Sequence, residues 1–131
     1  MRTREVSSGR LSRYSVLVVE DDYLVAAEVV SALKESGATV LGPVSSAEEG
    51  GWIVEQFRPD CVLLDVNLRG GDAFGLAEQL VDRGISVVFT TGYDPDVVLS
   101  RLQTATCLRK PVDIRMLLES ICRLPPGNLN S

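Results

Sequence analysis

The sequence predicts an α/β domain built on a doubly wound, five-stranded parallel sheet. Five short apolar, β-branched runs alternate with segments of helical periodicity, and this regular alternation is typical of parallel sheets with helices on both faces. The runs at 16–19 and 61–66 lack polar alternation, as expected of central strands that are covered on both faces. A length of 131 residues fits one domain of this kind.

The predicted strands are the five apolar runs. Each run is too short for a buried helix and is bounded by polar or turn residues. In chain order the runs are VLVV (16–19), TVLG (39–42), CVLLDV (61–66), SVVFT (86–90) and the weaker ATCLR (105–109).

The predicted helices lie between these strands and after the last one. Two of them end at Gly37 and Gly84, because glycine readily adopts the left-handed turn that follows a helix. The five helices are predicted over 22–36, from 45–50 to near Phe57, over 73–83, from about Pro95 to Gln103, and around 114–121, before PPG (125–127).

Polar side chains mark the start of two helices. Asp22 begins the first helix, where a carboxylate is favoured, so it is interpreted as a cap with no further role. The segment SSAEEG contains two capping-box spacings, Ser45 with Glu48 and Ser46 with Glu49.

Two further features carry no predicted function. The segment LRGGDAFG (68–75) is interpreted as a flexible turn, because it lacks the G-x-x-x-x-G-K pattern of a phosphate-binding loop. Trp52 and Phe57, the aromatic residues of the second helix, are expected to pack that helix against the rest of the domain.

The composition limits the kinds of metal site and catalysis that the chain supports. The chain has no histidine, which argues against zinc sites and against histidine acid–base catalysis. Cys61, Cys107 and Cys122 are far apart and form no C-x-x-C pair, so they are expected to be reduced. Any bound metal would therefore have oxygen ligands, which favours Mg²⁺, Mn²⁺ or Ca²⁺.

Charge distribution predicts a domain at 14–124 between two short tails. Residues 1–13 have a net charge of +3 and are expected to be a disordered arm, and residues 125–131 are a short tail. The rest of the chain has a net charge of −8, which disfavours nonspecific nucleic-acid binding. No apolar stretch reaches the roughly 20 residues that span a bilayer. Because the N-terminus also lacks the apolar region of a secretory signal, a cytoplasmic location is expected.

Polar groups follow four of the five predicted strands. The carboxyl ends of parallel strands meet at one edge of the sheet, where ligands bind, so these groups should converge. In strand order they are Glu20 and Asp21, then Asp65, then Thr90 and Thr91, and then Lys110.

This set of groups suits phosphoryl transfer. Carboxylates that repel one another become ligands around a hard divalent cation, and Mg²⁺ shares its remaining positions with water and phosphate oxygens. A lysine and a threonine hydroxyl are able to contact the phosphoryl oxygens. One carboxylate is then available as a nucleophile that forms an acyl phosphate.

Four segments resemble the signature segments of the response-regulator receiver domains of two-component signalling. They are VLVVEDD, LLDVNL, VVFTTGYD and LRKPVD, and the resemblance spans roughly residues 15–123. It implies a flavodoxin-like fold whose parallel strands lie in the order 2-1-3-4-5.

The resemblance implies a metal site for Mg²⁺ or Mn²⁺. Asp21 and Asp65 would bind the ion, and Glu20 would assist, often through water. The backbone carbonyl of Asn67 would complete the ligands that the protein supplies.

The resemblance also implies roles in phosphoryl transfer. Asp65 would be the phosphoacceptor, Thr91 the switch hydroxyl that moves to the phosphoryl group, and Lys110 the cation that pairs with it, followed by a cis bond to Pro111. Cys107 departs from the family, because many receivers have Tyr or Phe at this switch position. The aromatic half of the usual switch is therefore missing.

The sequence thus predicts a stand-alone receiver that signals through protein contacts. Its phosphoryl donor would be a sensor histidine kinase or a histidine phosphotransfer protein. Its downstream partner, or a second copy in a homodimer, would use the face formed by the fourth helix, fifth strand and fifth helix. Catalytic turnover of a substrate, direct DNA binding and membrane insertion are not expected, although the domain would catalyse its own phosphoryl transfer and slow dephosphorylation.

Two alternatives belong to other functional classes. Cys107 is compatible with a phosphorylation-independent interaction module that keeps the site as a vestige. A phosphohydrolase of the haloacid-dehalogenase kind is disfavoured, because EDDYL does not match the D-x-D-x-[TV] pattern that this class has at its first strand.

Overall fold

The computed structural model of the protein describes residues 9–100 and 106–125. Within these residues five strands form one sheet in the order β2-β1-β3-β4-β5, and every neighbouring pair is parallel. This arrangement confirms the predicted fold class and strand order. The strands are β1 (Ser15–Val19), β2 (Thr39–Val44), β3 (Cys61–Asp65), β4 (Ser86–Thr91) and β5 (Thr106–Arg109).

Five helices lie in the described part of the chain, and none of them is both long enough and apolar enough to cross a bilayer. The predicted continuation of the fourth helix to Gln103, and the predicted start of the fifth strand at residue 105, lie outside the described residues. The helices are α1 (Tyr23–Glu35), α2 (Ala47–Phe57), α3 (Ala73–Asp82), α4 (Pro95–Leu99) and α5 (Ile114–Cys122).

Capping interactions fix the helix ends. Gly37 and Gly84 follow α1 and α3 with φ angles of 94° and 76°, which confirms both predicted stops. Of the two capping-box spacings, the structure uses the second: Ser46 is the N-cap of α2, and its Oγ accepts the Glu49 N–H at 3.1 Å. The Glu49 carboxylate accepts the N–H of Ser45 at 3.2 Å, one residue before the usual partner.

Apolar layers cover both faces of the sheet, as the doubly wound prediction requires. Successive residues of β1 point into opposite layers, and all four residues from Val16 to Val19 are fully buried. The helices α1 and α5 cover one face with Val29, Leu33, Leu117 and Ile121, and α2, α3 and α4 cover the other with Val54, Leu76, Leu80 and Val98.

Packing of the chain begins before residue 14. Leu11, which lies in the predicted basic arm, is fully buried in the layer between the sheet, α1 and α5. Its N–H donates to the carbonyl of Ser36 at 2.8 Å, next to the end of α1. Residues 1–8 of the arm and 126–131 of the tail lie outside the described residues, so the character predicted for them stays a prediction.

The prediction that Trp52 and Phe57 pack α2 against the domain is wrong. Trp52 is 62% exposed and Phe57 is 59% exposed. The face of α2 that meets the core instead presents Gly50 and Val54, which are buried one helical turn apart. Because a glycine lets the helix lie close to the sheet, α2 is packed without its aromatic side chains.

Gly50 and Gly51 differ in the space around them, although both are in α2. A Cβ on Gly50 would lie 3.1 Å from Val19 Cγ2 and 3.2 Å from Leu76 Cδ2, whereas a Cβ on Gly51 would meet only Leu76 Cδ1, at 3.9 Å. We expect Gly51→Ala to raise the free energy of unfolding by about 0.5–1 kcal/mol through helix propensity.

Gly50→Ala should be less stable than Gly51→Ala by about 1–2 kcal/mol, because the added methyl group crowds the core. Urea denaturation of the two variants measures the difference. Equal free energies of unfolding would show that α2 does not depend on close approach at Gly50.

Candidate functional site

The carboxyl edge of the sheet brings together side chains from four strands. Glu20 and Asp21 follow β1, Asp65 ends β3, Thr91 ends β4, and Lys110 follows β5. The parallel register explains this, because Asp65 lies opposite Thr90, and Thr91 lies opposite Arg109. The carboxylates and the Lys110 ammonium therefore lie together as the strand ends predict, whereas the contact of the Thr91 hydroxyl is with the Tyr93 N–H.

Three carboxylates form the centre of the site. Glu20, Asp21 and Asp65 each offer one oxygen, and these oxygens lie within 4.8 Å of one another. Asp65 is 2% exposed and Glu20 is 6% exposed, so two of the three charges are held away from bulk water. Such a set of hard oxygen donors fits Mg²⁺ or Mn²⁺.

Asp22 stays apart from this cluster. Its Oδ1 accepts the N–H groups of Leu24 at 3.0 Å and Val25 at 3.3 Å, in the first turn of α1. The interpretation of Asp22 as a helix cap is therefore confirmed. Its own N–H donates to Glu20 Oε2 at 2.9 Å, which links the cap to the site.

Lys110 supplies positive charge to the two buried acids. Its Nζ lies 3.1 Å from Asp65 Oδ2 and 3.2 Å from Glu20 Oε1. Burial disfavours the charged ammonium, but the hydrogen bond and charge of Asp65, together with Glu20, outweigh burial and raise the pKa of Lys110. Burial, with the neighbouring Asp65 charge, raises the pKa of Glu20, against the opposing effects of the Asp22 N–H and Lys110.

The backbone also orients Asp65. The Asn67 N–H donates to Asp65 Oδ1 at 2.9 Å, while Lys110 contacts Oδ2, so the two oxygens have different partners. The contact through which Asn67 reaches the site is thus its N–H. Its carbonyl as a metal ligand stays a prediction.

Thr91 is fully buried at the end of β4. Its Oγ1 accepts the Tyr93 N–H at 3.0 Å, and its carbonyl accepts the Lys110 N–H at 2.7 Å. The second bond ties β4 to the residue that carries the site's ammonium, and the Lys110–Pro111 bond that follows is cis. The movement of the Thr91 hydroxyl to a phosphoryl group stays a prediction.

Cys107 lies on β5 opposite Phe89 and is partly buried against the layer that contains α4. Burial raises the pKa of its thiol to about 11, so at neutral pH it is a small, uncharged side chain. Cys61, Cys107 and Cys122 are all free thiols.

Arg69 is part of the site, although the sequence analysis did not single it out. Its main-chain N–H donates to Asp21 Oδ2 at 2.9 Å, and its guanidinium Nε lies 3.7 Å from the same oxygen. The side chain is 87% exposed. The sequence feature that points to Arg69 is its position as a basic residue in the loop after the strand that ends at Asp65.

Two cavities flank these residues. A cleft of about 220 Å³ is lined by Glu20 and Asp21 and extends toward the end of β2, where Glu49 also lines it. A larger cavity of about 560 Å³ lies between α2 and α3 and does not include the carboxylate cluster. The smaller cleft therefore borders the acids that follow β1, and neither cavity is lined by Asp65 or Lys110.

Comparison with known proteins identifies relatives of this chain. The model of the response regulator receiver domain family matches residues 16–122. An uncharacterized response regulatory protein of Vibrio cholerae is 33% identical over 113 residues, which cover 84% of this chain and 48% of that protein. The transcriptional regulatory protein PdtaR of Mycobacterium tuberculosis is 26% identical over 110 residues, which cover 81% of this chain and 54% of that protein.

The chain thus spans about half the length of the curated relatives it matches. Among solved structures, the signal receiver domain of a modulated diguanylate cyclase from Desulfovibrio desulfuricans is 31% identical. It superposes with a TM-score of 0.73 over 82% of this chain and 90% of that one.

Proposed function

We propose that this chain, which belongs to the family of response regulator receiver domains, accepts a phosphoryl group on Asp65. It would then signal through protein contacts. The observation that carries the proposal is the setting of Asp65. Its carboxylate is buried, lies beside two other carboxylates, and is 3.1 Å from the Lys110 ammonium. An acid in this setting is held in one orientation, next to charge that stabilises a transferring phosphoryl group.

The proposed transfer is an in-line displacement at phosphorus. An oxygen of Asp65 forms a new P–O bond as the P–N bond of a phosphohistidine breaks, and the leaving imidazole nitrogen keeps the electron pair and takes a proton from solvent. The Lys110 ammonium pairs with the phosphoryl oxygens. The Thr91 hydroxyl donates to the phosphoryl group when the switch moves to its active state.

A divalent cation completes the proposed site. Glu20, Asp21 and Asp65, with the Asn67 carbonyl, would hold Mg²⁺ or Mn²⁺. The bound ion neutralises charge that otherwise accumulates among the acids and on the phosphoryl group. The support for this step is the oxygen-only donor set that the three carboxylates form.

The proposed donor is a sensor histidine kinase or a histidine phosphotransfer protein. Output would pass to a partner, or to a second copy, through the face of α4, β5 and α5, where Val97 and Met116 leave large apolar surfaces exposed. The acyl phosphate would be a signalling state that the domain hydrolyses slowly, and no DNA contact is assigned to this domain. The free thiols agree with a reducing cytoplasm as the proposed location.

A phosphorylation-independent interaction module is the second candidate. The observation that favours it is Cys107, which provides no ring to move into the space vacated by Thr91. In this case the four strand ends would keep their geometry without accepting phosphate.

Incubation of the protein with acetyl phosphate and Mg²⁺, followed by intact mass measurement, separates these candidates. A gain of one phosphoryl group supports the phosphoacceptor. A folded protein with no adduct supports the interaction module. Repeated release of inorganic phosphate would indicate a hydrolase.

Mg²⁺ should stabilise the fold by relieving repulsion among the three carboxylates. At a concentration one hundred times the dissociation constant, a ligand that binds only the native state adds about 2.7 kcal/mol to the free energy of unfolding. We expect Asp21→Ala to lose most of this gain, measured as the increase in melting temperature at constant ionic strength.

Asp22→Ala is the matched control, because it removes the adjacent carboxylate from the helix cap. Without metal, the free energy of unfolding of this variant should fall by about 1 kcal/mol. Its melting temperature should still rise with Mg²⁺ as much as that of the wild type. Equal increases in the wild type and in Asp21→Ala would contradict the assignment of Asp21 as a ligand.

A further inference from the structure

Arg69 is the basic residue that contacts Asp21. Among the described residues, no other lysine or arginine lies within ion-pair distance of Asp21, and Lys110 contacts Glu20 and Asp65 instead. The three acids of the site are therefore contacted by two cations, Arg69 at Asp21 and Lys110 at Glu20 and Asp65. Lys110 is largely buried among the strand ends, whereas the side chain of Arg69 is 87% exposed.

The two groups of Arg69 that reach Asp21 have different effects. The main-chain N–H, 2.9 Å from Oδ2, fixes the orientation of the carboxylate, as the N–H of Asn67 does for Asp65. The guanidinium Nε, 3.7 Å from the same oxygen, neutralises part of its charge. Oδ1 of Asp21 accepts no hydrogen bond from the described residues, so it is available to a ligand.

We propose that the Arg69 guanidinium competes with the divalent cation for Asp21 and thereby sets the metal affinity of the site. This inference rests on the proposed function, since it assumes that Asp21 is a metal ligand. A dication at Asp21 would lie within a few ångströms of the guanidinium, and like charges at that distance repel. Its high exposure leaves the side chain room to move away from Asp21 when the ion binds through Oδ1.

A charge series at position 69 isolates the guanidinium, because every member keeps the main-chain N–H. Arg69→Gln should bind metal about three- to tenfold more tightly than the wild type, since it removes one exposed positive charge at close range. Arg69→Glu should bind more tightly again, and Arg69→Lys should stay within about twofold of the wild type. The gain in Arg69→Gln should shrink at about 1 M salt, where charges are screened beyond roughly 3 Å.

The measurement is the dissociation constant for Mn²⁺, taken from the electron paramagnetic resonance signal of the free ion, with Mg²⁺ as a competitor. Arg123→Gln is the matched control. It makes the same change in net charge at an exposed position after α5, at the opposite edge of the sheet. Its dissociation constant should equal that of the wild type.

Three results would overturn the proposal. Equal affinities across the Lys, Gln and Glu variants would show that the guanidinium does not compete, and an equal gain in Arg123→Gln would show that only net charge matters. If the wild type forms a phosphoryl adduct but all position-69 variants have the same dissociation constant, this inference fails and the proposed function stands. If the wild type binds no Mn²⁺ or Mg²⁺ and forms no adduct, the proposed function fails with it.

Discussion

Replacing Lys110 with methionine is expected to slow phosphorylation by acetyl phosphate by about two to three orders of magnitude. The reason is that a preorganised cation in a partly dry site contributes at least as much to the transition state as a typical oxyanion-hole donor. Lys110 is such a group, since its Nζ is 3.1 Å from the Asp65 oxygen Oδ2. Methionine keeps most of the side-chain volume and removes the charge.

Arg109→Met is the matched control for this experiment. Arg109 is the adjacent residue, at the end of β5, but its side chain is exposed and forms no ion pair with the described residues. The initial rate of adduct formation should change little in this variant. Metal binding should survive in Lys110→Met, because the three carboxylates remain. An unchanged rate in Lys110→Met, with the protein folded, would remove Lys110 from the transfer step.

Much of the fold could be predicted because its signals are local. The uninterrupted apolar runs at 16–19 and 61–64 have few alternatives to central parallel strands, and the structure buries both. The helix stops at Gly37 and Gly84 follow from the left-handed backbone that each adopts. A one-residue choice, such as Ser45 or Ser46 as the cap of α2, needed the tertiary structure.

Much of the site was also predictable, because strand direction is set by topology. Once the sheet is parallel, residues that follow different strands meet at one edge, and this places Asp65 beside Lys110 although 45 residues separate them in the chain. The three consecutive acids after β1 have two different positions in the fold. Glu20 and Asp21 lie in the cluster of three carboxylates, whereas Asp22 caps α1.

The features that the sequence does not predict depend on how helices and loops pack together. Amino-acid composition alone does not specify this packing. Trp52 and Phe57 are exposed because Gly50 and Val54 take the inner face of α2. Arg69 reaches Asp21 through the fold of a loop, a contact between residues 48 positions apart.

Buried residues outside the predicted elements were missed for a similar reason. Leu11 lies in a basic segment that is typical of a solvated arm, yet its side chain is fully buried and its N–H donates to the Ser36 carbonyl. Asp60, at the opposite edge of the sheet, is buried and accepts the Ser15 N–H at 2.7 Å, a contact between residues 45 positions apart in the chain.

The most direct test of the account is the position of the phosphoryl group. We expect the wild type, incubated with acetyl phosphate and Mg²⁺, to gain the mass of one phosphoryl group, and Asp65→Asn to gain none. Asp94→Asn is the control, because it removes a carboxylate from the cap of α4 and keeps an oxygen for the Asp96 N–H. Asp94→Asn should gain the same mass as the wild type, and an adduct of equal yield on folded Asp65→Asn would contradict the account.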